Sequence, residues 1–100
     1  MLIHIVCWKY KVGADAHTRR EHQSRLRALK DIIPEVRSLQ VGGDILNLDR
    51  SFDTGLVATF DDRAGLDTYT DHPQHQEVAA MGREISERVV SVDFLSDQGI

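Results

Sequence analysis

The segment Tyr69-Thr70-Asp71-His72-Pro73-Gln74-His75 sets a phenol and two imidazoles around one proline. Histidine titrates nearest neutral pH of the unperturbed side chains, so it takes up or releases a proton at little cost. Proline favours the first position of a helix. If Pro73 opens one, His72 and His75 lie within a turn of each other. Enolisation beside a carbonyl needs a base of near-neutral pKa and a donor for the developing oxyanion. A neutral imidazole at His75 and a phenol at Tyr69 supply both without metal or cofactor. The same residues also fit a pocket that binds without turnover, or simple capping and packing of helix ends. A further histidine, His4, stands in an apolar strand at the other end of the chain. On residue type alone it reads as a hydrogen-bonded core residue.

Other chemistries find less support. His72 and His75, with His4 and Asp93, make a conceivable His/carboxylate metal set, but no Cys pair or His-Glu-x-x-His motif accompanies them, so no metal is expected. His72, directly before Pro73, suits a helix cap or a support for the motif's loop. Cys7 lies within a strand and reads as a small buried hydrophobe rather than a nucleophile. Gly42-Gly43 is too short to cradle phosphate and fits a turn. His17 falls at the start of a helix and reads as exposed.

These groups must be positioned by a small scaffold. One hundred residues fit one domain spanning 1–100. A chain of this size buries a modest share of its surface, and association is a common remedy. The 41% hydrophobic and 28% charged fractions are those of a globular chain, and no apolar run is long enough to cross a membrane. The amino terminus lacks signal-peptide features, and the single cysteine forms no disulfide framework, so a cytoplasmic setting is expected. The net charge is −4, divided as nine Lys/Arg against six Asp/Glu in 1–50 and three against ten in 51–100. Such an acidic balance argues against a nucleic-acid partner, which needs a clustered basic face. Arg19, Arg20, Arg25 and Arg27, interrupted by Glu21, read as a solvated helix face.

Leu2 to Lys11 reads as a strand, with His4, Val6, Trp8 and Tyr10 on one side and Ile3, Ile5 and Cys7 on the other. Apolar residues on both sides predict a central strand covered on two faces. Asp15 to Ile33 reads as a helix, N-capped by Asp15 and ended by Pro34, with His22, Leu26, Leu29 and Ile33 in one stripe. Val36 to Val41 reads as a second strand, running on towards Leu48, and Leu56 to Phe60 as a third. Asp61-Asp62 offers a cap for a helix through Tyr69, and Pro73 starts another stretch with Val78, Ala79, Met81 and Ile85 inward. Val89 to Leu95 makes the last strand, and Ser96 to Ile100 is expected to fray. The order is β-α-β-β-α-β, the ferredoxin-like α+β pattern, in which the first strand lies between the third and fourth. Helices then cover one sheet face only. A second copy's sheet is the economical cover for the other, so a homodimer is expected.

These elements and their motifs resemble the stress-responsive dimeric α/β-barrel (Dabb) family over about residues 2–95. The resemblance is carried by Ile3-His4-Ile5-Val6, Trp8-Lys9-Tyr10-Lys11, Ile33-Pro34-Glu35-Val36 and Val41-Gly42. Ser51-Phe52-Asp53-Thr54-Gly55-Leu56-Val57, the Tyr69–His75 segment and Ser91-Val92-Asp93-Phe94 complete it. It implies a dimeric α/β barrel with a cavity between helices and sheet. Members of the olivetolic acid cyclase kind work without cofactor. By similarity to them, His75 is the base, Tyr69 and His4 line the site, and Asp93 lies near that base. An Asp93 bonded to the far nitrogen of His75 would fix its tautomer and raise its basicity. Val6, Trp8, His22, Leu26, Leu56 and His72 are the remaining expected ligand-binding positions. His22 and Ser91 stand where the cyclase has apolar pocket residues, and Trp8 adds bulk, so an alkyl-tail pocket and the cyclase reaction are not carried over. The resulting expectation is a pocket per subunit for a partly apolar carbonyl or aromatic molecule, with scope for cofactor-free acid–base chemistry of cyclase, lyase or isomerase type. A structural or stress-protective dimer, and a cofactor-free monooxygenase, are the alternatives.

Overall fold

A computed structural model describes residues 1–97. It runs β1 (Leu2–Tyr10), α1 (Ala16–Ile32), β2 (Ser38–Gly43), β3 (Thr54–Phe60), α2 (Arg63–Asp71), α3 (Pro73–Ile85) and β4 (Ser86–Leu95). The four strands form one antiparallel sheet in the order β2-β3-β1-β4. β1 is therefore central, and the two ends of the chain lie side by side, as the ferredoxin-like pattern requires.

Local chemistry explains the element ends. Asp15 accepts a hydrogen bond from the Thr18 amide at 2.8 Å, which caps α1. Ile33 is extended at φ −112° and ψ 105° because it precedes Pro34, and the helix stops there. Asp62 caps α2 by accepting from the Gly65 amide at 2.9 Å. The second helical region is two helices, broken at His72-Pro73. His72 closes α2 and opens α3, its imidazole accepting from the Gln74 amide at 3.1 Å. Proline excludes helical backbone from the residue before it, so this break is written into the sequence.

The predicted stripe of α1 is wholly buried: His22, Leu26, Leu29 and Ile33 pack on the sheet with Leu56, Ala58 and Phe60. Burying each large apolar side chain contributes about 1.5–3 kcal/mol before chain entropy is subtracted. Three expectations are corrected. β2 begins at Ser38, not Val36, and ends at Gly43, where the Asp44 amide bonds the Asp53 carbonyl at 2.8 Å and turns the chain away before Leu48. β4 starts three residues earlier than expected, at Ser86, and absorbs an irregularity opposite Lys9 and Tyr10. Ser96 is not frayed, since its amide donates to the Met1 carbonyl at 2.9 Å; positions 98–100 lie outside the described residues.

Helices cover one sheet face. On the other, Ile5, Cys7 and Val57 are half-buried, and Val90, Val92 and Phe94 are 38%, 53% and 43% exposed. Cys7 is thus a free thiol on this open face rather than a core residue. Among the described residues no helix is long and apolar enough to cross a membrane.

Candidate functional site

The break between α2 and α3 shapes the candidate site. Tyr69 sits in the last turn of α2 and His75 in the first turn of α3, and the break turns their rings towards each other at 4.3 Å between centroids. The final carbonyls of a helix have no helical partner. Thr70 offers one of these, and His75 Nδ1 bonds it at 3.1 Å. A carbonyl can only accept, so the proton lies on Nδ1 and Nε2 carries the free lone pair. Burial holds the His75 pKa below its ordinary value. The Thr70 carbonyl opposes that shift, and the charges of His4, Arg83 and His72 reinforce it. The imidazole is therefore neutral at neutral pH, the form a base requires.

Tyr69 is buried, with the ring of Phe60 at 5.1 Å and that of His4 at 5.9 Å. Burial raises its pKa well above the ordinary phenol value, so the hydroxyl stays protonated. Among the described residues that hydroxyl has no hydrogen-bond partner, although the ring lines a cavity. A protonated donor thus stands beside a neutral base.

The cavity, of about 280 Å³, lies between the helices and the sheet. β1 contributes His4, Val6 and Trp8 to its wall, because alternate residues of a strand share a face. Leu26 and Leu56 complete the expected apolar lining. Thr70, Ala79, Arg83 and Val89 line it as well and were missed. Ala79 and Arg83 follow His75 at steps of four, so the helical repeat was the available signal. A larger hollow of about 510 Å³ on the open sheet face gathers neither histidine nor tyrosine.

Three expected site residues stand elsewhere. Asp93 does not orient His75. It lies directly across the β1–β4 ladder from His4, and its carboxylate accepts from His4 Nδ1, fixing that ring's tautomer instead. Asp93 faces the adjoining hollow beside Thr70 and Leu66. His22 belongs to the core, edge-on to Trp8 at 5.0 Å, with Nδ1 bonded to the Tyr10 hydroxyl at 2.8 Å. Tyr10 donates its one hydroxyl proton to Thr54 at 2.9 Å, so His22 Nδ1 is the donor to Tyr10. Among the described residues His22 Nε2 is buried without a partner, and burial depresses the imidazole pKa to about 4. His72 is the helix cap described above and is absent from the wall. Among the described residues no three His, Cys, Asp or Glu side chains converge as a metal site.

A four-stranded antiparallel sheet, helices on one face and a cavity between them define a ferredoxin-like α+β subunit. The chain belongs to the stress-responsive A/B barrel domain family, whose pattern matches residues 2–96. No curated protein sequence matches it. Similar solved structures include a dimeric ferredoxin-like protein from Thermobifida fusca, 24% identical, with a TM-score of 0.86 over 95% of this chain and 90% of that one. The hydroxynitrile lyase of Passiflora edulis is 21% identical, with a TM-score of 0.87 over 99% and 95%. A Dabb family protein from Mesorhizobium loti is 20% identical, with a TM-score of 0.78 over 95% of each chain.

Proposed function

We propose that the cavity binds a small, partly apolar carbonyl or aromatic compound and that His75 and Tyr69 can move a proton on it without a cofactor. The carrying observation is the 4.3 Å pair of a neutral imidazole and a phenol on one cavity wall, with Nε2 and the hydroxyl both unbonded among the described residues. In such a reaction Nε2 accepts a proton from the carbon beside the carbonyl, and the Tyr69 hydroxyl donates a hydrogen bond to the oxygen that gains charge. Trp8, Leu26 and Leu56 exclude water from the ligand's apolar part. Use of the fold by a hydroxynitrile lyase supports an enzymatic role. Against a purely structural dimer, the cavity is open rather than filled by Trp8, His22 and Met81.

We further propose that two copies close their open sheet faces on each other. Val90, Val92 and Phe94 on that face support this, as does the dimeric Thermobifida fusca structure. A thermal-shift and calorimetric panel of ketones, keto acids and phenols tests the pocket. His75→Ala is expected to weaken binding or turnover of any hit about tenfold or more, with the melting temperature changed by only a few degrees. A large stability loss with binding intact would assign His75 to structure.

A further inference from the structure

Among the described residues Arg83 is the one permanently charged side chain on the cavity wall, and none that line it carries a carboxylate. Arg25, Arg37 and Arg63 are paired with Glu21, Asp61 and Asp67, whereas Arg83 has no ion-pair or hydrogen-bond partner among the described residues. Residues 51–100 hold ten acids against three bases, and of these bases Arg63 is paired with Asp67 and Arg88 lies off the cavity wall, which leaves Arg83 facing the cavity.

Its place along the cavity is set by two parallel walls. On α3, His75, Ala79 and Arg83 follow at steps of four, so about 12 Å of helix separates the Cα atoms of the first and last. On β1, His4 and Trp8 are also four residues apart, about 13 Å at the rise of a strand. Trp8 pairs with Val89, just beyond the end of α3, while His4 pairs with Asp93. The cavity is therefore long, with His4, Tyr69 and His75 at one end and Trp8, Val89 and Arg83 at the other. Helical side chains lean towards the helix N-terminus, so the long Arg83 side chain can reach back along the wall in the direction of Ala79. Ala79 contributes only a methyl group there and leaves the space between to a ligand.

We propose that Arg83 is a specificity-determining residue that binds a carboxylate, so that the cavity takes an anionic keto acid whose carbonyl lies at His75 and Tyr69. Guanidinium and carboxylate match in geometry through paired N–H donors, and partial desolvation strengthens such charge-assisted bonds. The ligand class is then an aryl or alkyl ketone carrying a carboxylate beyond an apolar spacer. The inference rests on the carbonyl-binding reading above and narrows its ligand.

The test uses 4-acetylbenzoate and its neutral methyl ester, titrated by calorimetry into the whole chain. Wild type is expected to bind the acid about tenfold more tightly than the ester. Arg83→Gln should lower acid affinity to the ester's level and leave the ester unchanged, and Arg83→Lys should restore part of the difference. Arg83 is exposed, so these variants fold. Equal affinity of wild type for acid and ester, or an acid affinity untouched by Arg83→Gln, overturns the Arg83 role while leaving the carbonyl site intact. His75→Ala should weaken both ligands together. Binding of neither ligand to wild type sinks the anionic-ligand assignment, and loss of the ester's dependence on His75 sinks the carbonyl site beneath it.

Discussion

At the scale of single residues, the two most perturbed histidines differ in purpose. His75 is kept neutral at a cavity wall with one nitrogen open, whereas His22 is kept neutral inside the core with one nitrogen unused. His22 has a measurable signature. Its pKa is about 4 in the fold against an ordinary 6.5, so the unfolded chain binds more protons between those values. Stability must therefore fall as pH drops through that window, by about 3 kcal/mol for His22 alone. His75, shifted in the same direction, adds to the loss. Urea unfolding at pH 7 and pH 4.5 should show this fall in wild type and a distinctly smaller one in His22→Leu, where Tyr10 keeps Thr54 as a partner. An equal fall in both would mean that His22 is not the buried neutral base. The His75–Tyr69 pair was legible from its motif and His4 from the resemblance, because types and spacing carry that information. Asp93 was legible only as a neighbour. Which histidine it bonds depends on strand register, which one-dimensional spacing does not contain.

At the scale of elements, α1, α3 and the central strand were legible because their periodicities are strong and their ends carry Asp15, Pro34 and Pro73. The run from Gly43 to Asp53 was not. Its apolar Ile45, Leu46 and Leu48 suggest a continued strand, yet they are 88%, 66% and 39% exposed on a turn. There the Asn47 amide donates to Asp44 at 2.7 Å, and Asn47 takes a left-handed φ of 53°. The misplacement of His22 has a related cause. The helical stripe put it on the buried side, but not behind Trp8 rather than in the cavity. Gly82 decides that point by letting α3 close directly on both rings. A Cβ at Gly82 would lie 2.8 Å from Trp8 Nε1 and 3.0 Å from His22 Nε2. Gly82→Ala should cost about 1–3 kcal/mol in unfolding free energy and move the indole that ends the cavity. Trp8 fluorescence and urea midpoints are the readouts. An unchanged midpoint would show that α3 can shift at no cost.

At the scale of the whole molecule, the fold followed from the order of elements and the proposed dimer from arithmetic of faces: the helices lie on one side of the sheet and leave the other open. The exposed Val92, at 53%, sits in the middle of β4 on the uncovered side. Val92→Lys is expected to shift the mass seen by light scattering from twice the chain to one chain, with the β-sheet circular dichroism kept. A wild type that already runs as a monomer at tens of micromolar would remove the proposed pairing. The position of β1 also governs how the molecule is made. It precedes both of its neighbours in the sheet, β3 and β4, the latter ending at Leu95. His4 and Asp93 consequently meet across a sequence separation of 89 residues, a contact that local folding cannot make. Until that pairing closes, one edge of β1 stays bare, so folding passes through a state whose apolar central strand is open to pairing with another strand.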